Sequence, residues 1–322
     1  MTDKKNKGGE ATLRLRLQDL QVFILAIELG GMRKAANQLD ISQPFVTQTI
    51  KKIEDTFGVP LIERTRSGIE PTIYGKALLK RGLIAVDELN QTINDIKSLS
   101  DETRGDVRFS APQGVGSVIF ADVLAKFIEK NPKSSVYVSV ETGLQEGLTK
   151  LRKRYIDFVI GALPRPLNPS FETDDLKMDR VVEDEIVLVA GKDHPMLKRK
   201  DIRPSDLVNQ KWILPPRDEW YHDLLVRWFK DERQVLPFPT VVTSSAPVVA
   251  KLVSEGQYVA IRSRLFARYH DLQELKCALP KTRFSWSIVT IKGRTLSPIV
   301  ERFIEVSRSS LKTAAKEMKI SQ

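Results

Sequence analysis

The sequence contains a single cysteine, Cys277, among its 322 residues. One thiol cannot form an intramolecular disulfide and cannot supply a cysteine-rich zinc site. Long apolar stretches are also missing: no run reaches the length of about 18 residues that a membrane-spanning helix needs. The basic N-terminus lacks the apolar segment of a secretory signal. We therefore expect a cytoplasmic protein in a reducing compartment, with no membrane partner.

Histidine is also scarce, with three residues. His194, His222 and His270 are far apart and have no metal-ligand spacing. The sequence also contains no nucleophile elbow, P-loop or zinc motif. These absences count against the common classes of hydrolase, nucleotide-binding enzyme and zinc protein. We expect no catalytic residues, no metal ion and no cofactor.

The net charge of +10 is basic, which is typical of proteins that bind nucleic acid. Its distribution weakens that argument. Residues 1–104 carry 16 Lys and Arg against 14 Asp and Glu, so most of the excess positive charge lies in residues 105–322. A case for DNA binding must therefore rest on where the charges are placed.

Three helices are predicted near the N-terminus, where apolar residues recur at helical spacing: Leu13–Leu29, Met32–Leu39 and about Gln43–Phe57. Residues 1–16 are predicted to form a disordered basic tail, since the apolar residues that define the first helix begin at Leu17. Ala35 and Ala36 lie inside the second helix, where small side chains let two helices cross closely. This order predicts a compact three-helix unit.

The third helix has two different sides. Ser42 is a good N-cap, and Pro44 falls in the first turn, where a missing N–H costs little. One side is apolar and predicted to be buried: Val46, Ile50, Ile53 and Phe57. The other side carries residue types that contact base edges and phosphates: Gln43, Thr47, Gln48 and Lys51. This arrangement favours a helix-turn-helix with a recognition helix in the major groove.

A short hairpin with a basic tip follows, in "VPLIERTRSGIEPT". Arg64 and Arg66 are placed to enter a minor groove or to contact phosphate. An ordinary amphipathic helix with a solvated polar side is the simpler interpretation of any single helix. Here the capped helix, its polar stripe and the basic hairpin occur in order, which favours DNA binding.

One long helix is predicted from Thr72 to Leu99, followed by a hinge at residues 100–105. Its length and its lack of interior proline indicate that it packs on a second copy of itself. Its apolar residues are Ile73, Ala77, Leu83, Ile84, Leu89, Ile93, Ile96 and Leu99. We expect a homodimer formed through this helix.

From residue 106 short β-rich segments alternate with helices, as in "DVRFSA" followed by "SVIFADVLAKFIEK". This rhythm predicts a parallel sheet with helices on its faces. Two such sets occur, which predicts two α/β lobes. We assign residues 106–163 and 283–322 to the first lobe and residues 164–282 to the second.

Ligands in open α/β sheets bind beyond the carboxyl ends of the strands, which here directs attention to "SAPQGVG", "ETG" and "GALPRP". Gly114 lies where a helix begins, and free N–H groups there can hold an anion; a tight strand–helix turn is the equal alternative. Arg217 either pairs with an anionic effector or is neutralised by its acidic neighbours. Ser244 and Ser245 precede a helix that one of them caps, with ligand contact as a second role. These candidates favour a small organic anion.

The segment from Leu17 to Leu79, "LQDLQVFILAIELGGMRKAANQLDISQPFVTQTIKKIEDTFGVPLIERTRSGIEPTIYGKALL", resembles the N-terminal signature of the LysR-type transcriptional regulators. The resemblance extends more loosely over most of the chain. It implies a winged helix-turn-helix at residues 17–71, a linker helix at 72–99 that pairs subunits, and a two-lobed effector domain like a periplasmic solute-binding protein.

The resemblance also implies roles for single residues. Six match recognition-helix positions, namely Ser42, Gln43, Pro44, Thr47, Gln48 and Lys51, and two match the wing, Arg64 and Arg66. Four would lie near the effector cleft: Ala111, Pro112, Gln113 and Thr142. Met32 and Phe45 depart from the family pattern, since the family commonly has Ser and a small residue there. Phe45 would either press on a thymine methyl or pack inward.

The fold class expected from these observations is a multidomain α/β protein with an N-terminal winged helix-turn-helix. Its expected function is sequence-specific regulation of transcription, modulated by a small-molecule effector of unknown identity bound between the lobes. Double-stranded promoter DNA is the expected partner, with a homotetramer and contact with RNA polymerase implied by the family. The alternatives are a cytoplasmic α/β enzyme, or a small-molecule-binding protein, with the N-terminal helices as a dimerisation arm.

Overall fold

The computed structural model of the chain describes residues 15–66, 68–141, 143–165, 172–217, 219–277, 279–280 and 283–318. These residues form two compact units, one ending at Ile93 and one beginning at Asn94. The predicted disordered tail at residues 1–16 lies outside the described residues, apart from Leu15 and Arg16. Within the described ranges, no helix combines the length and apolarity needed to cross a membrane.

The first unit is a three-helix cluster followed by a hairpin and the start of a long helix. Its elements are α1 (Leu17–Glu28), α2 (Met32–Leu39), α3 (Gln43–Phe57), β1 (Ile62–Thr65), β2 (Gly68–Pro71) and α4 (Ile73–Ser100). Ala35 and Ala36 are buried in one apolar cluster with residues of α1 and α3, among them Val22 and Ile50. The predicted role of the two alanines at a close helix crossing is therefore confirmed.

Helix α3 has the predicted ends. The hydroxyl of Ser42 accepts the N–H of Phe45 at 3.4 Å, and Pro44 lies in the first turn. Gly58 ends the helix in the left-handed region, with φ of 68°. A residue with a side chain is strained in that region, so glycine is the natural terminator. Local sequence alone thus determines where this helix starts and stops.

The hairpin β1–β2 packs closely on the rest of the first unit. Gly68 has φ of 137°, and a Cβ built on it would lie 2.2 Å from the carbonyl oxygen of Gly30. The N–H of Ile69 donates to the same carbonyl at 3.3 Å. Because this approach leaves no room for a side chain at position 68, the hairpin is held against the turn between α1 and α2.

Helix α4 begins where Thr72 caps it. The Thr72 hydroxyl accepts the N–H of Gly75 at 3.1 Å and donates to the carbonyl of Pro60 at 2.8 Å. The predicted helix from Thr72 to Leu99 lies within one residue of the observed bounds at each end. Several of its predicted apolar residues are exposed on the single chain: Ile73, Leu89, Ile93, Ile96 and Leu99. Leu89, Ile93, Ile96 and Leu99 follow one another at helical spacing, so they share one exposed apolar side. These are residues expected to meet a second copy.

The second unit is built on a mixed sheet covered by helices. Its strands are β3 (Arg104–Pro112), β4 (Lys133–Glu141), β5 (Phe158–Pro164), β6 (Leu176–Ala190), β7 (Lys211–Leu214), β8 (Pro239–Val242), β9 (Tyr258–Ser263), β10 (Gln273–Glu274) and β11 (Arg283–Ile291). Its helices are α5 (Gln113–Lys130), α6 (Leu144–Arg152), a 3-10 turn (Pro195–Lys198), α7 (Pro204–Leu207), α8 (His222–Asp231), α9 (Ala246–Glu255), α10 (Arg264–Tyr269) and α11 (Pro298–Glu317).

The strand order is β4-β3-β5-β11-β6-β9-β7-β8, with β10 beside β6. Strand β3 is parallel to β4 and β5, and β7 is parallel to β8 and β9. The prediction of a parallel sheet is wrong in the middle, where β11 runs antiparallel to both β5 and β6. An apolar strand covered on both faces has the same residue pattern in either direction, so the sequence does not reveal this orientation.

Strand β6 joins the two sets of parallel strands. Its residues Leu176–Glu185 pair with β11, and Ile186–Ala190 pair with β9. The predicted division placed all of residues 164–282 in the second lobe. The first part of β6 instead lies beside β11, a strand assigned to the first lobe, because this 15-residue strand is long enough to run through both sets.

We expect Gly75→Ala to destabilise the first unit. A Cβ at position 75 would lie 2.0 Å from the carbonyl oxygen of Leu61, and backbone cannot move aside cheaply. The expected loss is about 2 kcal/mol or more, measured by calorimetry of the full chain.

Gly82→Ala in the same helix is the matched control. Its Cβ would meet Leu20 Cδ2 at an ordinary 3.4 Å, and alanine adds helix propensity of up to about 1 kcal/mol. Its melting temperature should equal or exceed that of the wild type. Equal melting temperatures for the two variants would contradict the close packing of α4 on Leu61.

Candidate functional site

The polar side of helix α3 faces solvent. Gln43, Gln48 and Lys51 are exposed, as are Ser42 and Pro44 near the helix start. The opposite side is anchored in the core, where Val46, Ile50 and Ile53 are almost completely buried. The structure therefore brings the predicted recognition residues together on one accessible surface.

Thr47 differs from its neighbours on this stripe. It is half-buried, and its hydroxyl donates to the carbonyl of Gln43 at 3.1 Å and lies 3.2 Å from the Met32 sulfur. Its hydroxyl is thus already engaged within the protein, which leaves its methyl group as the part available for an outside contact. Met32, one of the two departures from the family pattern, supports α3 at this point. Phe45, the other departure, lies at the surface with 40% of its area exposed, so its ring does not pack inward.

Two adjacent lysines of α3 have different environments. Lys52 donates to the Asp19 carboxylate at 2.8 Å, and Asp19 also accepts the backbone N–H of Arg16 at the start of α1. Lys51 is exposed and forms no ion pair with the described residues. Lys52 therefore ties α3 to α1, whereas Lys51 is left for an external anion.

The hairpin places two arginines on the same unit. Arg64 lies on β1 and Arg66 in the turn, and both are exposed. Neither forms an ion pair with the part of the chain that the structure describes. Together with Lys51 they are cationic side chains with no counter-charge among the described residues, the arrangement expected for phosphate contacts.

The second unit contains a cavity of about 90 Å³ lined by residues from both sets of strands. Of the eight predicted ligand residues, Pro112 and Ser244 line it. Ala111 is buried in the apolar core beside it, and Gln113 and Gly114 form the first turn of α5. Thr142 lies outside the described residues.

The remaining two predicted ligand residues do not line this cavity. Arg217 is exposed at the surface. This position fits the interpretation that it is a rim residue. Ser245 is the N-cap residue of α9, but its side chain makes no capping hydrogen bond among the described residues. Its backbone N–H donates to the hydroxyl of Thr243 at 3.0 Å instead.

Arg262 is the cavity residue that sequence reasoning missed. It lies on β9, lines the cavity and is only 5% exposed. Its guanidinium donates to the Tyr221 hydroxyl and the Thr243 carbonyl, both at 3.3 Å, and to the Ile261 carbonyl at 3.1 Å. It also lies 5.9 Å from the ring centre of Phe266. The sequence does contain a signal for this residue: an arginine inside the apolar strand sequence "YVAIRS". Burying a charge in such a strand is costly, so it indicates a specific role.

Glu141 brings a negative charge to the cavity wall, at the end of β4. Burial disfavours its ionised form, but hydrogen bonds from Lys150, at 2.5 Å, and from Ser139 outweigh burial and lower the pKa of the carboxyl. The carboxylate is therefore charged at neutral pH and neutralised by Lys150.

Asp184 lies behind the cavity wall. Its carboxylate accepts the indole N–H of Trp286, a lining residue, at 2.9 Å and the backbone N–H of Leu265 at 3.4 Å. Burial outweighs these hydrogen bonds and raises the pKa of Asp184 to about 6. A carboxyl group with such a pKa takes up a proton only slightly below neutral pH.

Family models match both halves of the chain. Residues 17–76 match the model described as "Bacterial regulatory helix-turn-helix protein, lysR family". Residues 100–312 match the model described as "LysR substrate binding domain". The exposed side of α3 lies in the first match and the cavity lies in the second.

Individual proteins show the same organisation. The chain is 30% identical to the HTH-type transcriptional regulator TdcA of Escherichia coli over 247 residues, which are 76% of each chain. Among solved structures, it resembles ArgP from Mycobacterium tuberculosis with a TM-score of 0.65 at 16% identity, over 92% of this chain and 97% of that one. Full-length OxyR from Pseudomonas aeruginosa gives a TM-score of 0.63 at 19% identity, over 96% and 99%. At such identities the two structures establish similarity of fold alone.

We expect Asp184→Asn to remove a pH-dependent part of the stability. The folded-state pKa of Asp184, about 6, lies above the ordinary value for an aspartate side chain, so the folded protein binds the proton more tightly than the unfolded chain. The wild type should therefore lose stability relative to the variant as the pH rises, by about 2 kcal/mol between about pH 4.5 and about pH 7.5. Urea unfolding across this range measures the difference.

Asp193→Asn is the control, because Asp193 is exposed. Its stability difference from the wild type should stay constant over the same range. A constant difference for Asp184→Asn as well would show that burial of Asp184 has no energetic consequence.

Proposed function

The chain belongs to the LysR family of bacterial transcriptional regulators, and on that premise we propose how its residues carry out this function. It is a helix-turn-helix regulator with a substrate-binding domain, and control by an effector is typical of the family. LysR regulators bind promoter DNA. The residue contacts, the assembly and the effector site described below are our proposals.

We propose that helix α3 enters the major groove. The observation that carries this proposal is the exposure of Gln43, Gln48 and Lys51 opposite a buried apolar side. Glutamine side chains recognise adenine by paired hydrogen bonds, and lysine contacts guanine or phosphate. Thr47 offers its methyl group to a thymine methyl, since its hydroxyl is held by Gln43 and Met32.

The wing and the helix start supply contacts that do not depend on base sequence. Arg64 and Arg66 would contact phosphates or a minor groove, because both are exposed cations on the same unit as α3. Ser42 and Pro44 shape the first turn of α3, and the positive end of the helix dipole there favours a phosphate. These contacts set the orientation in which the glutamines meet the bases.

We propose a homodimer that pairs through α4. The exposed apolar residues Ile93, Ile96 and Leu99 support this, since a helix side of that kind is normally covered. Two recognition helices on a dyad-related site would multiply the weak affinity of one small module. We propose further that effector domains complete a homotetramer and that the assembly contacts RNA polymerase at the promoter.

The effector would bind in the cavity of the second unit, where Pro112 and Ser244 meet residues of both sets of strands. A ligand that binds one arrangement of these strands more tightly than another shifts the population toward it. We propose that the protein works in the cytoplasm, where its DNA target lies, and that it is a regulator without catalytic activity, with the small-molecule effector in place of a cofactor.

The double variant Gln43→Ala with Gln48→Ala tests base readout. We expect its preference for a specific promoter site over random DNA to fall by about 10-fold or more, while salt-dependent binding to random DNA remains. Gel shifts on DNA upstream of the protein's own gene and on random DNA measure both affinities.

Gln18→Ala with Gln21→Ala is the matched control, because both residues are exposed on α1. It should keep the wild-type preference. If the α3 variant loses affinity equally on specific and random DNA, the glutamines do not read bases, and the proposal for α3 is rejected.

Arg66→Ala tests the wing. Loss of one phosphate contact should weaken binding to all sequences alike and reduce the slope of log affinity against log salt concentration by about 1. Arg227→Ala, at an exposed position on α8 of the other unit, should leave the slope unchanged. An unchanged slope for Arg66→Ala would refute the wing contact.

A further inference from the structure

Arg262 is a buried cation without a counter-ion in the part of the chain that the structure describes. It is 5% exposed, and no carboxylate among the described residues lies within ion-pair distance of it. Its three hydrogen-bond acceptors are neutral: a phenol and two backbone carbonyls. Removing an ion from water costs several kcal/mol unless an opposite charge compensates it. The buried positive charge of Arg262 therefore favours the binding of an anion that is not part of the protein.

The guanidinium also has donors to spare. Arginine carries five N–H groups. Both hydrogens of Nη1 and one of Nη2 are used by Tyr221, Ile261 and Thr243. The Nε–H and the second Nη2–H have no acceptor among the described residues. Two neighbouring donors of a guanidinium match the two oxygens of a carboxylate.

The two acidic residues among the described lining residues do not supply the missing charge. Glu141 is neutralised by Lys150 at 2.5 Å. Glu219 lines the cavity but has an interaction of its own, and it forms no ion pair with Arg262. The positive charge of Arg262 thus remains uncompensated despite these neighbours.

The size and the apolar lining of the cavity limit which molecule can accompany an anionic group bound at Arg262. The cavity of about 90 Å³ is smaller than the apolar cavity of about 150 Å³ that holds one benzene molecule. Apart from Arg262 and a few polar groups, apolar side chains surround it: Leu144, Val159, Ile160, Ile186, Phe284 and Trp286. An apolar body shorter than a benzene ring therefore suits it.

We propose that this cavity binds a short-chain aliphatic carboxylate, whose carboxylate pairs with Arg262 and whose carbon chain fills the apolar part. The inference rests on the proposed effector site and specifies its ligand class. The same pairing makes Arg262 the specificity-determining residue, because an uncharged molecule of equal shape leaves the guanidinium without its counter-ion.

Matched pairs of probes test the charge requirement. Propionate, butyrate and isobutyrate would be compared with propionamide, butyramide and isobutyramide, on the full-length protein at constant ionic strength. We expect at least one acid to raise the melting temperature by about 5 °C or more at about 100 times its Kd, and its amide to give no shift. Absence of a shift with every acid, or equal binding of acid and amide, would overturn the proposal.

Benzoate tests the size limit. It carries the same carboxylate on a larger body, so it should bind more weakly than the best aliphatic acid. Tighter binding of benzoate would reject the short-chain assignment.

Two variants test Arg262 directly. By titration calorimetry, Arg262→Met should raise the Kd of the best acid at least about 30-fold, and Arg262→Lys, which keeps the charge but loses the paired donors, should raise it less. Arg262→Lys carries the test if Arg262→Met does not fold. Arg165→Met is the control, since Arg165 is half-exposed and pairs with Glu183 outside the cavity; its Kd should match the wild type. Wild-type Kd values for the Arg262 variants would overturn the proposal.

Gel shifts with the same proteins separate this proposal from the proposed function. Arg165→Met should bind promoter DNA like the wild type in the absence of acid, because Arg165 lies outside the cavity and in the other unit from α3. If the wild type binds promoter DNA but no acid, the ligand class is wrong and the regulator function stands. If the wild type binds acid but not DNA, the regulator function fails and the ligand class stands.

Discussion

The burial of one side of helix α3 is the constraint on which the DNA-binding half depends. Val46, Ile50 and Ile53 are almost fully buried, and exposing each would cost about 1.5–3 kcal/mol. The helix therefore cannot rotate about its axis, and its polar side is fixed toward solvent. Ala35 and Ala36 make the arrangement possible, because their small side chains let α2 approach α1 and α3 closely. The orientation of the recognition surface is thus set by the core behind it, before any DNA is present.

In the second unit the main constraint is the cost of burying charged groups. Three buried groups at or behind the cavity wall meet this cost in different ways. Glu141 is ionised and paired with Lys150. Asp184 has a pKa raised to about 6 by burial, which lowers the cost of leaving it without a cation. Among the described residues, Arg262 has three hydrogen-bond partners, and all of them are neutral. Of these three buried groups, Arg262 is therefore the one whose charge is not compensated within the described residues.

The accuracy of the sequence predictions follows from the range over which each feature is determined. The cap at Ser42, the stop at Gly58 and the period of the α3 core positions are properties of a few consecutive residues, and the structure has them as predicted. The exception is Phe57, which was predicted to be buried at the end of this side and is 40% exposed. The cavity is a property of distant segments. Pro112 and Ser244 line it, whereas Arg217 lies at the surface. The sequence could not separate these cases, because the composition of a loop does not show which way its side chains point. Arg262 was missed because a single arginine in a strand does not form part of a recognisable motif.

By itself, the sequence determined the helices of the first unit, their polar and apolar sides, the hairpin with its arginines and the strand–helix rhythm of the second half. These features depend on hydrophobic periodicity and local backbone preferences, which act between neighbours in the chain. The tertiary structure alone decided that β11 runs antiparallel between β5 and β6 and that the Thr47 hydroxyl turns inward. It also decided that Arg262 lies in the cavity with no ion-pair partner among the described residues. Each of these depends on which distant residues meet, and long-range packing, rather than local preference, makes that choice.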